Sequence, residues 1–224
     1  MNRLAIFDCD GTLVDSGGII VSTVAEAFSL HGVVVPPPEV CRAVIGLSLV
    51  EAIAKLAPAA PPDEHMRLTE TYKSCFFRAR QEGRVEEPLF DGVLELLDDL
   101  ESDGWLLAVA TGKSDRGLRH CLESHGIHAR FISLQTADRH PSKPHPSMVE
   151  QAMADAGAAP GSTFVIGDTA YDMGMARAAG AAALGAGWGY HDDEELWAGG
   201  AHLIADAPVR VMGLLPELME RVDG

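Results

Sequence analysis

The chain is 224 residues long, 47% hydrophobic, with 17 basic against 33 acidic side chains and a net charge of −16. A field of that sign repels nucleic acid and anionic lipid at long range, so neither is expected as a partner. No stretch approaches the ~20 uninterrupted apolar residues of a membrane helix, and Asp8 arrives before a secretion signal's apolar region of about 7–15 residues could form.

Leu4–Phe7 is a short apolar run that halts at Asp8 and Gly11, as a buried parallel strand would. Between Gly17 and Glu87 the patterns are helical, such as Ile20, Val24, Ala27 and Phe28, then Val50, Ile53, Ala54 and Leu56, punctuated by Pro36–Pro38 and Pro61–Pro62. Ordinary connections run about 4–6 residues. Residues 17–87 are therefore expected to form a small α-helical cap, rooted where a lid over a sheet's ligand crevice would sit. Val93, Leu96, Leu97 and Leu100 predict a helix capped by Asp91 and stopped by Gly104. Trp105–Ala110 predicts a strand ending at Thr111-Gly112, and Leu118, Cys121 and Leu122 a helix between a Ser114 cap and Gly126. Phe131–Leu134 is a weaker strand. Met148, Ala152 and Met153 mark a helix from Pro146 to Gly157, and Thr163–Ile166 a strand ending at Gly167-Asp168. The alternation predicts an α/β fold, a doubly wound parallel sheet with a Rossmann-type core built from residues 1–16 and 88–224. Cys9, Cys41, Cys75 and Cys121 are scattered, with no Cys-x-x-Cys pair and no zinc spacing. They read as buried small hydrophobes in a reducing, cytoplasmic compartment.

Parallel sheets bind ligands beyond the carboxyl ends of their strands. Asp8, Asp10, Thr111 and Asp168 stand at those ends, with Asp172 one turn into the next helix. Carboxylates crowded in one crevice repel each other unless a cation joins them. Oxygen ligands without Cys or His suit a hard ion, and Mg²⁺ takes one or two carboxylates together with substrate phosphate and water. Lys143, in a loop before a helix, would supply positive charge to such a phosphate. Asp15 and Ser16 read as a cap for the first inserted helix, and Lys113 as a solvated loop residue. Lys73, Arg78, Arg80 and Arg84 read as a solvated helix face.

Asp8-Cys-Asp-Gly-Thr12 resembles the first motif of the haloacid dehalogenase superfamily, and Ala110-Thr-Gly112 its second. Lys143 in Lys-Pro-His-Pro146 is similar to the third, and Gly167-Asp-Thr-Ala-Tyr-Asp172 to the fourth. The cap, together with Ala176-Arg-Ala-Ala-Gly180 and Gly187-Trp-Gly189, resembles the phosphoglycolate phosphatase-like branch. The resemblance implies a phosphatase acting on a small phosphorylated metabolite such as 2-phosphoglycolate, as a monomer or homodimer. It implies Asp8 as nucleophile and Asp10 as general acid and base. Asp8, Asp168, the Asp10 main-chain carbonyl and Asp172 (through water, or by orienting Lys143) would serve a Mg²⁺ ion. Thr111, Gly112 and Lys143 would cradle the phosphoryl group. Many relatives carry Asn or Ser where Gly112 stands. Arg42 and Gly46, in Ile45-Gly-Leu47, resemble the cap loop that faces substrate. A phosphomutase of the β-phosphoglucomutase type shares these acids and is the alternative. A signalling receiver domain fits the motif order poorly.

Overall fold

The structure, a computed structural model, describes residues 2–221. Six strands form one parallel sheet: β1 (Asn2–Phe7), β2 (Trp105–Thr111), β3 (Phe131–Thr136), β4 (Ala158–Gly167), β5 (Ala182–Ala186) and β6 (Leu203–Ala205). Their order is β3-β2-β1-β4-β5-β6. The chain order reverses between β1 and β4, which opens a crevice beyond their carboxyl ends.

Alternation along β1 divides the interior in two. Ala5 and Phe7 face a cluster with Leu96, Leu97 and Leu100 of α5 (Val93–Ser102), Leu118 and Leu122 of α6 (Asp115–Ser124), and Leu215 of α10 (Val211–Glu220). Leu4 and Ile6 face the other cluster, which holds Met148, Val149 and Ala152 of α7 (Ser147–Ala156), Met173 and Ala176 of α8 (Ala170–Ala178), and Leu196 of α9 (Asp193–Gly199). Helices thus cover both faces of the sheet.

Between β1 and α5 the chain forms α1 (Gly17–Leu30), α2 (Pro38–Arg42), α3 (Leu49–Leu56) and α4 (Pro62–Gln81), with no strand among them. These helices bury Val24, Phe28, Cys41, Ile53, Leu56 and Leu68 together, away from both sheet clusters. Among the described residues, no helix is long and apolar enough to cross a membrane.

Three local features depart from the sequence reading. The strands β5 and β6 were not expected, because Ala182-Ala-Leu-Gly-Ala186 has little intrinsic strand preference; it extends because it is buried between β4 and β6. Asp91 does not cap α5, whose N-cap is Gly92 at φ +86°, with no side-chain bond. Ser16 stands at the N-cap of α1, but its hydroxyl turns away from the helix and donates to Asp10 Oδ1.

Candidate active site

Strand register brings the acids together. Phe7 pairs with Val109 on one side and with Ile166 on the other, so Asp8, Thr111 and Asp168 all leave the same edge of the sheet. The capping box of α8 adds Asp172, whose Oδ2 accepts from the Thr169 amide at 3.1 Å and the Thr169 hydroxyl at 2.6 Å. Asp8, Asp168 and Asp172 are buried, and each offers a carboxylate oxygen within 4.8 Å of the others.

One ammonium group serves this cluster. Buried Lys143 places Nζ 2.9 Å from Asp8 Oδ1 and 2.6 Å from Asp172 Oδ1. Burial opposes its charge, but Asp172 and Asp8 outweigh that and hold its pKa above the ordinary lysine value. Asp8 Oδ1 also accepts from the Cys9 amide at 2.6 Å. Asp168 accepts from the Thr12 hydroxyl at 2.9 Å and the Tyr190 amide at 3.0 Å. Asp8 Oδ2 is buried and has no hydrogen-bond partner.

Three carboxylates against one ammonium leave an excess of buried negative charge. Desolvation first, then the Asp172 and Asp10 carboxylates acting against the Lys143 charge, push the Asp8 pKa up to about 7. Burial, then Asp8 and Asp172, push Asp168 up as well. An orphaned carboxylate oxygen among hard oxygen donors, in a pocket short of positive charge, fits a divalent cation.

Residues 5–186 match the haloacid dehalogenase-like hydrolase family. The chain belongs to that family. "Probable phosphatase IndB" of Dickeya dadantii is 35% identical over 222 residues, covering 98% of this chain and 96% of the relative. A phosphoglycolate phosphatase of Vibrio parahaemolyticus is 27% identical, covering 98% and 96%. The crystal structure of a hydrolase from Pseudomonas syringae matches with a TM-score of 0.84 at 25% identity, covering 97% and 99%. Family and relatives make this hydrolase a phosphatase enzyme.

The hydrolase's helical insertion lies directly on its acids. Gly46 adopts φ +96°, and a Cβ there would sit 3.3 Å from Thr169 Oγ1 and 3.8 Å from Asp8 Oδ2. At Gly112 a Cβ would meet the Leu47 carbonyl oxygen at 2.3 Å and the Gly46 oxygen at 2.8 Å. The cap loop occupies the space that an Asn or Ser side chain would need. The Ser48 amide donates to Ser142 Oγ at 2.8 Å, and Tyr171 and His191 both bond the Ala43 carbonyl. Gly112→Ala is expected to displace this loop and lower kcat/KM by about 10- to 100-fold, chiefly by raising KM; steady-state kinetics checks it, with unchanged KM as the contrary result.

The structure corrects two expectations about cations and leaves a third out of the site. Lys113 is no solvated loop residue: its side chain is 10% exposed, with Nζ 2.8 Å from Asp10 Oδ1 and 2.7 Å from Glu87 Oε1. Burial opposes its charge most strongly, yet Asp10 together with Glu87 and the other groups around it outweighs that and holds its pKa high. Arg80 is no surface residue either; it is largely buried, 3.5 Å from Glu87 Oε2. Arg42 is exposed and stands outside the cavity above Asp10, because α2 directs it to solvent while Cys41 packs inward. Sequence reasoning passed over Glu87, whose partners Arg80 and Lys113 lie on other elements, Lys113 26 residues further along the chain. Ser16 and Lys113 together hold Asp10 by one oxygen. Lys113→Met is expected to lower kcat by roughly 10- to 100-fold with KM little changed, and Lys113→Arg to recover part of the loss. A purely structural role would lower the folded fraction and leave kcat per folded enzyme intact.

Trp188 and Tyr190 fasten the loop after β5 to the first motif. Trp188 Nε1 donates to the Thr12 carbonyl at 3.1 Å, and the Tyr190 hydroxyl accepts from the Ser16 amide at 3.0 Å. Cys9 and Cys121, remote in sequence, lie with sulfurs 4.0 Å apart beneath the site.

Proposed function

We propose that this phosphatase hydrolyses a phosphomonoester in two steps, through an aspartyl-phosphate on Asp8, with Mg²⁺ as cofactor. The observation that carries the reading is the unpartnered Asp8 Oδ2, buried at the switch point of the sheet and facing the cap loop. An Asp8 oxygen attacks phosphorus and the ester oxygen departs, taking a proton from the Asp10 carboxyl group. Asp10, now ionised, takes a proton from the water that attacks the acyl phosphate, and inorganic phosphate leaves with Asp8 restored. Lys143 orients Asp8 and, with the Thr111 hydroxyl and the Gly112 amide, stabilises charge on the phosphoryl oxygens. The second carboxylate, Asp10, supplies the proton that an alkoxide requires and a halide does not. Asp8 and Asp168, with the Asp10 main-chain carbonyl and Asp172 through water, would hold Mg²⁺, which when bound neutralises charge on the phosphoryl group and the acids.

The likeness to phosphoglycolate phosphatases makes 2-phosphoglycolate one small phosphomonoester to be assayed as a substrate. The test is phosphate release with and without EDTA, together with mass spectrometry of acid-quenched enzyme. The expected result is Mg²⁺-dependent release, with one phosphoryl mass added to the peptide that contains Asp8. Full turnover in EDTA, or a phosphoryl group carried elsewhere, overturns the reading. Conversion of hexose 1-phosphate to hexose 6-phosphate with little free phosphate would mark the phosphomutase alternative.

A further inference from the structure

A cavity of about 500 Å³ opens from Asp10 and Gly112 into the space between the cap helices and the sheet edge. Pockets of ~300–1,000 Å³ enclose drug-sized ligands, far more than the organic part of a two-carbon acid requires. The character of its walls narrows the occupant further. Its cap side is formed by apolar side chains, among them Val24, Val44, Ile45 and Ile53. The rings of Tyr72 and Phe76 also line it, stacked with centroids 6.0 Å apart and planes 26° from parallel.

The cations bordering the cavity do not suit a small carboxylate beside Asp10. Lys113 is already paired with Asp10 and Glu87, Lys73 is paired with Glu70, Arg116 lies over the Phe77 ring, and Arg42 lies outside the lining. Arg80 does border it, with its guanidinium 5.1 Å above the Phe76 ring. The buried Nε and Nη2 of Arg80 lack a hydrogen-bond acceptor, and its nearest carboxylate oxygen, on Glu87, lies 3.5 Å from Nη2. On the cap side, where polar groups such as Ser48 and Thr69 are few among apolar side chains, a polyhydroxylated sugar would lose more hydrogen bonds to water than it regains. A ring with an apolar face would be enclosed on the cap side, and an acceptor on its rim could reach Arg80.

We propose that the substrate is a phosphomonoester of a bulky, ring-bearing and largely apolar alcohol, whose ring fills the cavity under the cap while its phosphoryl group lies on Asp8. This rests on the phosphomonoesterase reading above. It assigns Tyr72, Phe76, Arg80 and Ala52, which also lines the cavity, to substrate selection by contact with the leaving group.

The test uses the full chain with Mg²⁺ and four primary phosphate esters: ethyl phosphate, 2-phosphoglycolate, glucose 6-phosphate and 3-phenylpropyl phosphate. Because all four release a primary alkoxide, differences in kcat/KM report chiefly the fit of the organic group. The expected result is a kcat/KM for 3-phenylpropyl phosphate roughly tenfold or more above each of the others. In Ala52→Trp, which places an indole in the cavity, the preference for 3-phenylpropyl over ethyl phosphate is expected to fall by about tenfold. Equal or faster turnover of 2-phosphoglycolate or glucose 6-phosphate overturns this inference and leaves the phosphatase reading standing. Phosphate release from none of the four also overturns this inference, while the two-step phosphatase reading is decided by the acid-quench experiment on Asp8. The wild-type series decides the matter even if Ala52→Trp fails to fold.

Discussion

Replacing Asp8 with asparagine is expected to lower kcat/KM by about 10⁴-fold or more while leaving the fold intact. The amide is close in size to the carboxyl group, and its oxygen can keep the bonds from the Cys9 amide and the Lys143 ammonium. It is a far weaker nucleophile, however, and cannot form the acyl phosphate. Phosphate-release kinetics on Asp8→Asn measures the loss directly. Activity within tenfold of the parent would remove Asp8 from the chemistry and with it the two-step reading.

The same substitution is expected to make the metal-free protein more stable at neutral and alkaline pH. Burial raises the Asp8 pKa from 3.8 to about 7, with the neighbouring acids adding to it against Lys143. A carboxyl group whose folded pKa lies above its unfolded one binds its proton more tightly when folded. Below about pH 4 it is protonated in both states and costs nothing. As pH rises toward 7 the unfolded chain ionises freely and the folded one does not, so stability is lost; above 7 the loss is constant. At about 1.4 kcal/mol per pH unit, the span from 3.8 to about 7 comes to at most about 4 kcal/mol. Asp168 is displaced in the same direction by burial and by its acidic neighbours.

Without divalent ions, Asp8→Asn and the parent should therefore melt together near pH 4 and diverge as pH rises. By pH 8 the variant should be the more stable, by on the order of 10 °C. Saturating Mg²⁺ should raise the parent's Tm more at pH 8 than at pH 5 and should have a much smaller effect on the variant, because a cation competes with the proton for the same oxygens. Thermal melts at four pH values, with EDTA or MgCl₂, give the whole comparison. A Mg²⁺ effect that is independent of pH, or equal in both proteins, would place the ion elsewhere. The site's acids are thus a source of instability that the folded core tolerates for the sake of chemistry.

The acids and the sheet were legible in the sequence because each depends on a short, contiguous signal. An apolar run that ends in Asp-x-Asp or Gly-Asp announces a buried strand and a polar residue at its carboxyl end, and strand order then does the rest. Asp8, Thr111, Asp168 and Asp172 needed only that local pattern, and their convergence follows from parallel register. The strands β5 and β6 lacked it: alanine and glycine carry little strand signal, and the extended conformation comes from being enclosed by neighbours.

Cation placement was the part that sequence left undetermined. Nothing in their immediate neighbours separates the fates of Lys113 in a Gly-Lys-Ser loop, Arg80 on a helix and Arg42 at the end of another. Their different fates are set by what reaches them in space. Glu87 and Asp10 draw Lys113 inward, α4 turns Arg80 toward the cavity, and α2 leaves Arg42 in solvent. Burying a charge is costly unless a partner stands within a few ångströms, and the partners here come from other elements. By itself the sequence determined the parallel sheet and the acids at its edge, which rest on local apolar patterning, and pointed to the family through the resemblance of four short motifs. Only the tertiary structure decided which cations serve those acids, that Gly112 is glycine because the cap loop fills its space, and how large a leaving group the cap encloses. Each of these is a property of distances between segments that the chain itself keeps far apart.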